Sequence, residues 1–305
     1  MEQKKKKIPV IIDTDIGGDI DDTWALTFAL LREEFDIKLI TTVLGDPTYG
    51  AKIIAKINES CGKGKIDLGF GKTSDEKPGC QAEWVESYNL SDYKGKIYED
   101  GIGRMIEVVR ESAEQVTILA LGPCSNLAEA SKRYPEIADK VRVVGVFGAV
   151  RVGYFGGEVC PEYNVMADVD AARTFLSVYK NALITPIDTC FDAVLDKSRY
   201  KMIESCRKNS RAVDALLENF EVWGRKHPRW KNESFDHTSE LCDTVAVYLA
   251  ITNKGLVNEK LCLEVEDDGK IIETDSGTKI EAAMEWSDLS YFLDFLTDTY
   301  CNAKN

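Results

Sequence analysis

Five aspartates lie within ten residues near the start of the chain, in the stretch VIIDTDIGGDIDDTWAL. They are Asp13, Asp15, Asp19, Asp21 and Asp22. Carboxylates this close together repel one another unless a cation or hydrogen-bond donors compensate them. Capping of a following helix accounts for one or two of the five. A hard cation such as Ca²⁺, which takes several oxygen ligands, accounts better for the whole group.

Two other chemistries fit part of this stretch. Counted from Asp13, it imitates an EF-hand loop with Gly18 at the sixth position, but Trp24 stands at the twelfth, where the motif needs glutamate. The Asp-Thr-Asp at a strand end also fits a phosphatase of the haloacid-dehalogenase type, in which the first aspartate is the nucleophile. The phosphatase stays open as the main alternative enzyme class.

The elements that must position these aspartates follow from apolar, β-branched runs that alternate with helix-length segments. This pattern predicts an open, mainly parallel, Rossmann-like α/β sheet flanked by helices, with a small C-terminal hairpin over 260–275 around Asp268-Gly269. We expect one domain over 1–305, because no repeat or long linker interrupts the chain. The predicted strands are 8–13, 36–46, 66–71, 116–122, 141–148 and 182–188, with a polar loop over 71–103. The predicted helices are 23–31, 47–60, 105–115, 126–140, 168–180, 242–252 and 289–301.

This arrangement places the aspartates where ligands usually bind. In open parallel sheets, ligands bind at the carboxyl ends of the strands. The aspartates occupy such a strand-to-helix turn, and Gly17 and Gly18 allow the backbone to approach a ligand closely.

Composition and charge restrict the partners. The chain has 305 residues and a formal net charge of −14, which argues against nucleic acid or an anionic membrane as a partner. No apolar stretch is long enough to span a bilayer. The lead-in Met1–Lys7 carries four lysines, but the apolar run behind it is too short for a signal peptide. Nine cysteines without a CxxC pair indicate reduced thiols, so we expect a cytoplasmic protein.

Motifs along the chain resemble those of the nucleoside hydrolases, the inosine–uridine-preferring N-ribohydrolase family. The aspartate stretch resembles the DTDxGxDD turn of that family. The other motifs are LALGPCSNLAEA at 119–130, PEYNVMADVDAA at 161–172, ITPID at 184–188 and LCDTVAVYLA at 241–250. They occur in the order found in the family, from about residue 8 to about residue 250.

The resemblance implies hydrolysis of the N-glycosidic bond of ribonucleosides, with Ca²⁺ as cofactor. Asp15 would bind the metal and act as general base on the attacking water. Asp22, the backbone carbonyl of Ser125, and Asp243 would complete the metal ligands. The family further implies a homodimer or homotetramer.

The resemblance also implies the substrate contacts. Asp21 and Asn164 would hold ribose hydroxyls, and Glu162 would contact the 5′ side of the sugar. Asp46 follows Gly45 where the family usually has Gly-Asn, and we include it among the substrate-binding candidates. Tyr163 is a candidate for stacking on the base, as is Trp230.

The chain departs from the family at the aspartate turn. Asp15 and Asp21 are six positions apart, two more than usual. The extra residues include Asp19, which is a candidate replacement for one of the metal ligands.

A second departure concerns the acid that protonates the leaving base. Cys242 precedes Asp243 where the family has a histidine that is the proposed acid. A thiol with an ordinary pKa of about 8.5 is a poor proton donor to a purine. The candidates are therefore Cys242 in an altered setting, or His237, six residues before Asp243. A member that binds nucleosides or sugars but turns them over weakly also stays open.

Overall fold

The protein is described by a computed structural model that covers residues 6–74 and 77–304, so most of the predicted lead-in Met1–Lys7 lies outside the described residues. Ten strands occur in this part of the chain. They are β1 (Ile8–Thr14), β2 (Phe35–Thr42), β3 (Asp67–Phe70), β4 (Ile97–Tyr98), β5 (Val116–Ala120), β6 (Val141–Val146), β7 (Leu183–Thr185), β8 (Leu256–Val265), β9 (Ile271–Glu273) and β10 (Thr278–Trp286).

All ten strands belong to one sheet, in the order β4-β3-β2-β1-β5-β6-β7-β10-β8-β9. Strands β1 to β7 pair in parallel, β10 pairs in parallel with β7, and β8 pairs antiparallel with both β10 and β9. The predicted fold class is therefore confirmed, including the C-terminal hairpin formed by β8 and β9.

Twelve α-helices accompany the sheet within the described residues. They are α1 (Asp21–Leu31), α2 (Pro47–Ser60), α3 (Gly101–Glu111), α4 (Ser125–Arg133), α5 (Ile137–Lys140), α6 (Tyr163–Ala167), α7 (Val169–Val178), α8 (Ile187–Cys190), α9 (Lys197–Cys206), α10 (Arg211–Lys226), α11 (Cys242–Ile251) and α12 (Leu289–Cys301). None of the helices described is long and apolar enough to cross a membrane.

The central strands are apolar on both faces because helices cover both sides of the sheet. In β1, Val10 and Ile12 belong to one buried apolar layer and Ile11 belongs to the other. This alternation follows from the two-residue period of a strand. It also explains why these strands are continuous apolar runs in the sequence rather than alternating ones.

Prolines account for two differences between the predicted and the observed elements. The helix predicted over 126–140 is divided into α4 and α5, because Pro135 disfavours a helical conformation at Tyr134, whose φ is −144° and ψ 86°. The strand predicted over 182–188 ends at Thr185, and Pro186 caps α8 instead. Asp188 therefore lies on a helix rather than at a strand end.

Other elements were shifted or missing in the sequence-based prediction. Helix α3 lies at 101–111 rather than 105–115. Helices α9 and α10 and strand β10 were not predicted, and the polar loop over 71–103 contains β4 and two short 3-10 helices. Strand β10 is the most consequential of these, because it joins the hairpin to the parallel part of the sheet. That 1–305 forms one domain stays a prediction.

Candidate active site

The aspartate turn begins with a carboxylate that links three elements. The Asp13 carboxylate accepts hydrogen bonds from the Thr41 hydroxyl on β2 and from the Asn126 amide on α4, at 2.5 and 2.7 Å. Burial raises the pKa of Asp13 to about 7, and these two hydrogen bonds oppose the rise. Asp13 thus fastens the end of β1 to its neighbours, as expected for a residue that ties down the turn.

Three buried aspartates from distant parts of the chain converge next to this turn. Asp21 and Asp22 begin α1, Asp243 lies in the first turn of α11, and a carboxylate oxygen of each lies within 4.8 Å of the others. The backbone N–H of Asp243 donates to Asp21 at 3.4 Å, and the Thr14 hydroxyl donates to Asp22. We call Asp21, Asp22 and Asp243 the acidic cluster.

The electrostatics of the acidic cluster favour the binding of a cation. Burial, followed by repulsion from neighbouring carboxylates, raises the pKa of Asp15, Asp21 and Asp243 well above the ordinary value. Among the described ion pairs, none brings a lysine or arginine to these side chains. Buried carboxylates that repel one another are suitable oxygen ligands for a hard divalent cation such as Ca²⁺ or Mg²⁺. The residues present therefore fit a divalent cation.

Asp15 lies beside the acidic cluster, and two glycines make room there. A Cβ at Gly122 would come within 2.7 Å of the Asp15 carboxylate, so the turn after β5 has no room for a side chain at this position. Gly17 has a φ of +114°, and a Cβ there would meet the Tyr49 ring at 2.5 Å. Both glycines let the aspartate turn pack closely against its neighbours.

Ser125 has a different setting from the carboxylates. It is the first residue of α4, and its hydroxyl donates to Asp168 at 2.6 Å. Its side chain is therefore engaged by Asp168, and Ser125 is not among the residues that line the cavity described next. A metal contact through its backbone carbonyl stays a prediction.

A cavity of about 640 Å³ opens over Asp15 and the acidic cluster. This volume is within the range of small-molecule sites. At its inner end lie carboxylates, since Asp22 and Asp243 are each only 3% exposed. At its mouth lie aromatic side chains, among them Phe155, which is 69% exposed. The cavity thus has an acidic inner end and an aromatic mouth.

Glu162 and Asn164 line the cavity through a connected set of hydrogen bonds. Both oxygens of Glu162 accept backbone N–H groups, from Asn164 and Val165 in the first turn of α6 and from Gly148 after β6. The Asn164 amide donates to the carbonyl of Leu121 at 3.0 Å. Two of the predicted substrate contacts are therefore held rigidly beside the end of β5.

Asp46 also lines the cavity, and it caps α2. Its carboxylate accepts the backbone N–H groups of Thr48 and Tyr49. The two residues before it, Leu44 and Gly45, both have positive φ, at 57° and 58°. This turn lets Asp46 serve the helix and face the cavity at the same time.

The aromatic mouth was largely missed by sequence analysis. Of the two predicted stacking residues, Tyr163 lines the cavity, whereas Trp230 is buried against Phe220 and Trp223. Phe155 meets Phe191 edge-on at 4.9 Å. Nothing in the local sequence signals this pair, because the two residues lie 36 positions apart, Phe155 in a short 3-10 helix and Phe191 at the end of α8.

The three further candidates have different surroundings. Asp19 lines the cavity, and so does Cys242, whose pKa is raised well above the ordinary value by the neighbouring Cys190 thiol and by burial. His237 is not among the lining residues and pairs with Asp236 at 3.1 Å. The lining includes His227 instead, which follows α10. Trp24 is fully buried in α1 against Phe220 and Tyr300, a core position rather than a metal ligand.

The fold and the cavity together define an α/β protein with an acidic site at the carboxyl ends of parallel strands. The sequence profile described as "Inosine-uridine preferring nucleoside hydrolase" matches residues 10–289. The chain belongs to this family. The resemblance drawn from the sequence motifs is therefore confirmed, and with it the enzyme class of nucleoside hydrolases.

Two curated relatives have similar sequences over most of the chain. Uridine nucleosidase 1 of Arabidopsis thaliana is 28% identical over 229 residues, which cover 70% of this chain and 67% of the relative. The non-specific ribonucleoside hydrolase RihC of Klebsiella pneumoniae is 23% identical over 227 residues, with 70% and 72% covered.

Solved structures of nucleoside hydrolases share the fold. A plant nucleoside hydrolase superposes with a TM-score of 0.79 at 22% identity, over 97% of this chain and 100% of that chain. The inosine-uridine preferring nucleoside hydrolase of Bacillus anthracis gives a TM-score of 0.77 at 18% identity, over 96% and 99%.

Proposed function

We propose that this protein hydrolyses the N-glycosidic bond of ribonucleosides to ribose and free base, and that it depends on Ca²⁺. The observation that carries the proposal is the convergence of the acidic cluster with Asp15 at the inner end of one cavity. Because α1 and α11 are more than 200 residues apart in the chain, this convergence is not a by-product of a local acidic stretch.

The roles proposed for the metal ligands follow from this placement. Asp15, Asp22, Asp243 and the carbonyl of Ser125 would hold the ion. Bound Ca²⁺ would lower the pKa of a water and orient the ribose diol. We choose calcium because several carboxylates are available as ligands, and Ca²⁺ is a cation of high coordination number.

The proposed reaction uses the protein's own groups as follows. Asp15 accepts the proton of the water that attacks the anomeric carbon, while positive charge develops on the ribosyl ring. Asp21 and Asn164 hold ribose hydroxyls. Glu162 and Asp46 complete the sugar site, and Tyr163 contacts the base.

The names of the relatives support a broad substrate class. One is a uridine nucleosidase and another a non-specific ribonucleoside hydrolase. We infer that purine and pyrimidine ribonucleosides are the substrates, in nucleoside salvage in the cytoplasm. We further infer a homodimer or homotetramer. Gel filtration coupled to light scattering tests this by measuring the mass of the particle, which is compared with the 34.1 kDa of one chain.

The test of this function is release of free base and ribose from uridine and inosine, measured by chromatography with calcium present. We expect turnover by the wild type and a loss of at least about 100-fold in kcat for Asp15→Asn, because the base for the water is removed. Asp268→Asn, in the exposed β8–β9 turn, is the matched control.

Two alternatives predict other outcomes. Binding of nucleosides without turnover, even of nitrophenyl riboside, whose leaving group needs no proton, would favour a binding protein. Release of phosphate from sugar phosphates would favour a phosphatase instead.

A further inference from the structure

The cavity contains one histidine that the reaction described above does not use. His227 lines the cavity immediately after α10, whereas the other histidine, His237, does not. A leaving base needs a proton donor whose ordinary pKa is near neutrality, and histidine is the side chain that meets this requirement. Among the described residues of the cavity lining, His227 is the only histidine.

The orientation of the His227 ring is fixed from behind. The imidazole stacks on Trp223, with ring centroids 4.4 Å apart and an angle of 19° between the planes. Its Nδ1 is enclosed and has no hydrogen-bond partner among the described residues. Nε2 is therefore the nitrogen through which the ring can exchange a proton with the cavity.

His227 lies on the aromatic side of the cavity. Two residues further on, the Arg229 guanidinium is 4.7 Å from the centre of the Phe155 ring, and Phe155 meets Phe191. Flat aromatic surfaces are where a base stacks. The sugar belongs at the opposite, acidic end, so the glycosidic bond would lie between Asp15 and His227.

The two extra residues of the aspartate turn also lead to His227. They include Asp19, whose carboxylate interacts favourably with both His227 and Arg229. Arg229 itself is engaged by Glu240 at 3.0 Å. The charged groups around the imidazole are thus Asp19 on the aspartate turn and the Arg229–Glu240 pair.

Two other proton donors of the cavity face partners inside the protein. The Tyr49 hydroxyl donates to the carbonyl of Gly17 at 3.1 Å, and the Cys242 thiol lies beside that of Cys190. Neither geometry directs a proton to the mouth of the cavity.

We propose that His227 is the catalytic acid that protonates the leaving base, in place of the histidine that Cys242 replaces. This inference rests on the proposed ribohydrolase function. The C1′–N bond breaks, and its electron pair stays on the base. The His227 imidazolium gives its proton to the base and becomes neutral, while the attacking water gives a proton to Asp15. Solvent then returns the proton from Asp15 to His227, and the net reaction consumes one water.

The test compares two substrates in three proteins. Wild type, His227→Gln and the control His237→Gln are each assayed with inosine and with nitrophenyl riboside, in the presence of calcium. For His227→Gln we expect kcat on inosine to fall about 100-fold, since a general acid is lost, while kcat on nitrophenyl riboside stays within about threefold. For His237→Gln we expect no change on either substrate.

The remaining outcomes overturn the proposal. Equal activity of His227→Gln and wild type on inosine removes any role for this ring. An equal loss on both substrates would mean that His227 supports the structure of the site rather than donating a proton. If the wild type cleaves nitrophenyl riboside but not inosine, no residue acts as catalytic acid, and His227 does not have the proposed role. Wild type that cleaves neither substrate contradicts the proposed function itself, which distinguishes that failure from failure of the acid.

Discussion

Several buried aspartates in this protein have pKa values well above the ordinary value. Asp13 and Asp22 are buried, and burial raises the pKa of each to about 7. Burial, followed by repulsion from neighbouring carboxylates, also raises the pKa of Asp15, Asp21 and Asp243 well above the ordinary value. Such groups hold protons in the folded state that they would release in the unfolded chain.

These raised pKa values predict how the stability of the metal-free protein depends on pH. Below a pH of about 4 these carboxyls are protonated in both states, and between about 4 and about 7 only the folded state stays protonated. The free energy of unfolding should therefore fall as pH rises through this window. Urea denaturation of chelator-treated protein at a pH of about 5.5 and about 7.5 measures it.

Calcium should reverse the trend, because its ligands must be deprotonated. We expect the added ion to raise the melting temperature more at the higher pH. A metal-free protein that gains stability as the pH rises across this window would show that the aspartates are compensated in another way.

Candidate site residues could be predicted from the sequence only where the residue types and their spacing form a recognisable motif. The aspartate turn and the PEYN segment were visible because several functional residues are neighbours in the chain. His227, Phe155 and Phe191 were not, because they are far apart in the chain and only the fold brings them to one cavity.

At the scale of elements, α8 supports the wall of the cavity through one side chain. The Asp188 carboxylate accepts the backbone N–H groups of Val150, Arg151 and Val152, at 2.7 to 3.1 Å. This loop leads directly to Tyr154 and Phe155 at the mouth. Asp188 thus holds the approach to the aromatic mouth, which is a structural role.

Replacing Asp188 should loosen this loop. In Asp188→Asn, an amide N–H₂ would replace one of the accepting oxygens, and we expect a loss of about 1–3 kcal/mol in the free energy of unfolding. Hydrogen exchange at amides 150–152 should become faster, and KM should rise. The matched control is Asp192→Asn, a nearby exposed aspartate. Unchanged exchange at these amides would contradict the role given to Asp188.

Elements were predictable where a local signal dominated. Buried parallel strands are apolar runs bounded by turns, so β1, β5 and β6 were found close to their bounds. Strand β10 was missed, because it is identified by its pairing with β7 and β8. In the observed register, Glu281 lies opposite Leu183 and Lys260, which are 98 and 21 positions away in the chain. The break before α5 follows from Pro135 and could have been anticipated.

At the scale of the whole molecule, the sheet brings the two ends of the chain to one site. Strand β1 is central, and α1 packs against α11, so Asp22 and Asp243 meet although they are 221 positions apart. The order of the motifs indicated this convergence through the family resemblance. Composition and periodicity alone could not, because neither records which helices are neighbours.

The central claim is that these distant aspartates share one divalent cation. Its most direct test is a calorimetric titration of chelator-stripped protein with calcium, for wild type, Asp22→Ala, Asp243→Ala and the control Asp268→Ala. We expect one tight site in the wild type and the control, and its loss in both cluster variants. A wild type without a calcium site, or a site that survives Asp243→Ala, would contradict it.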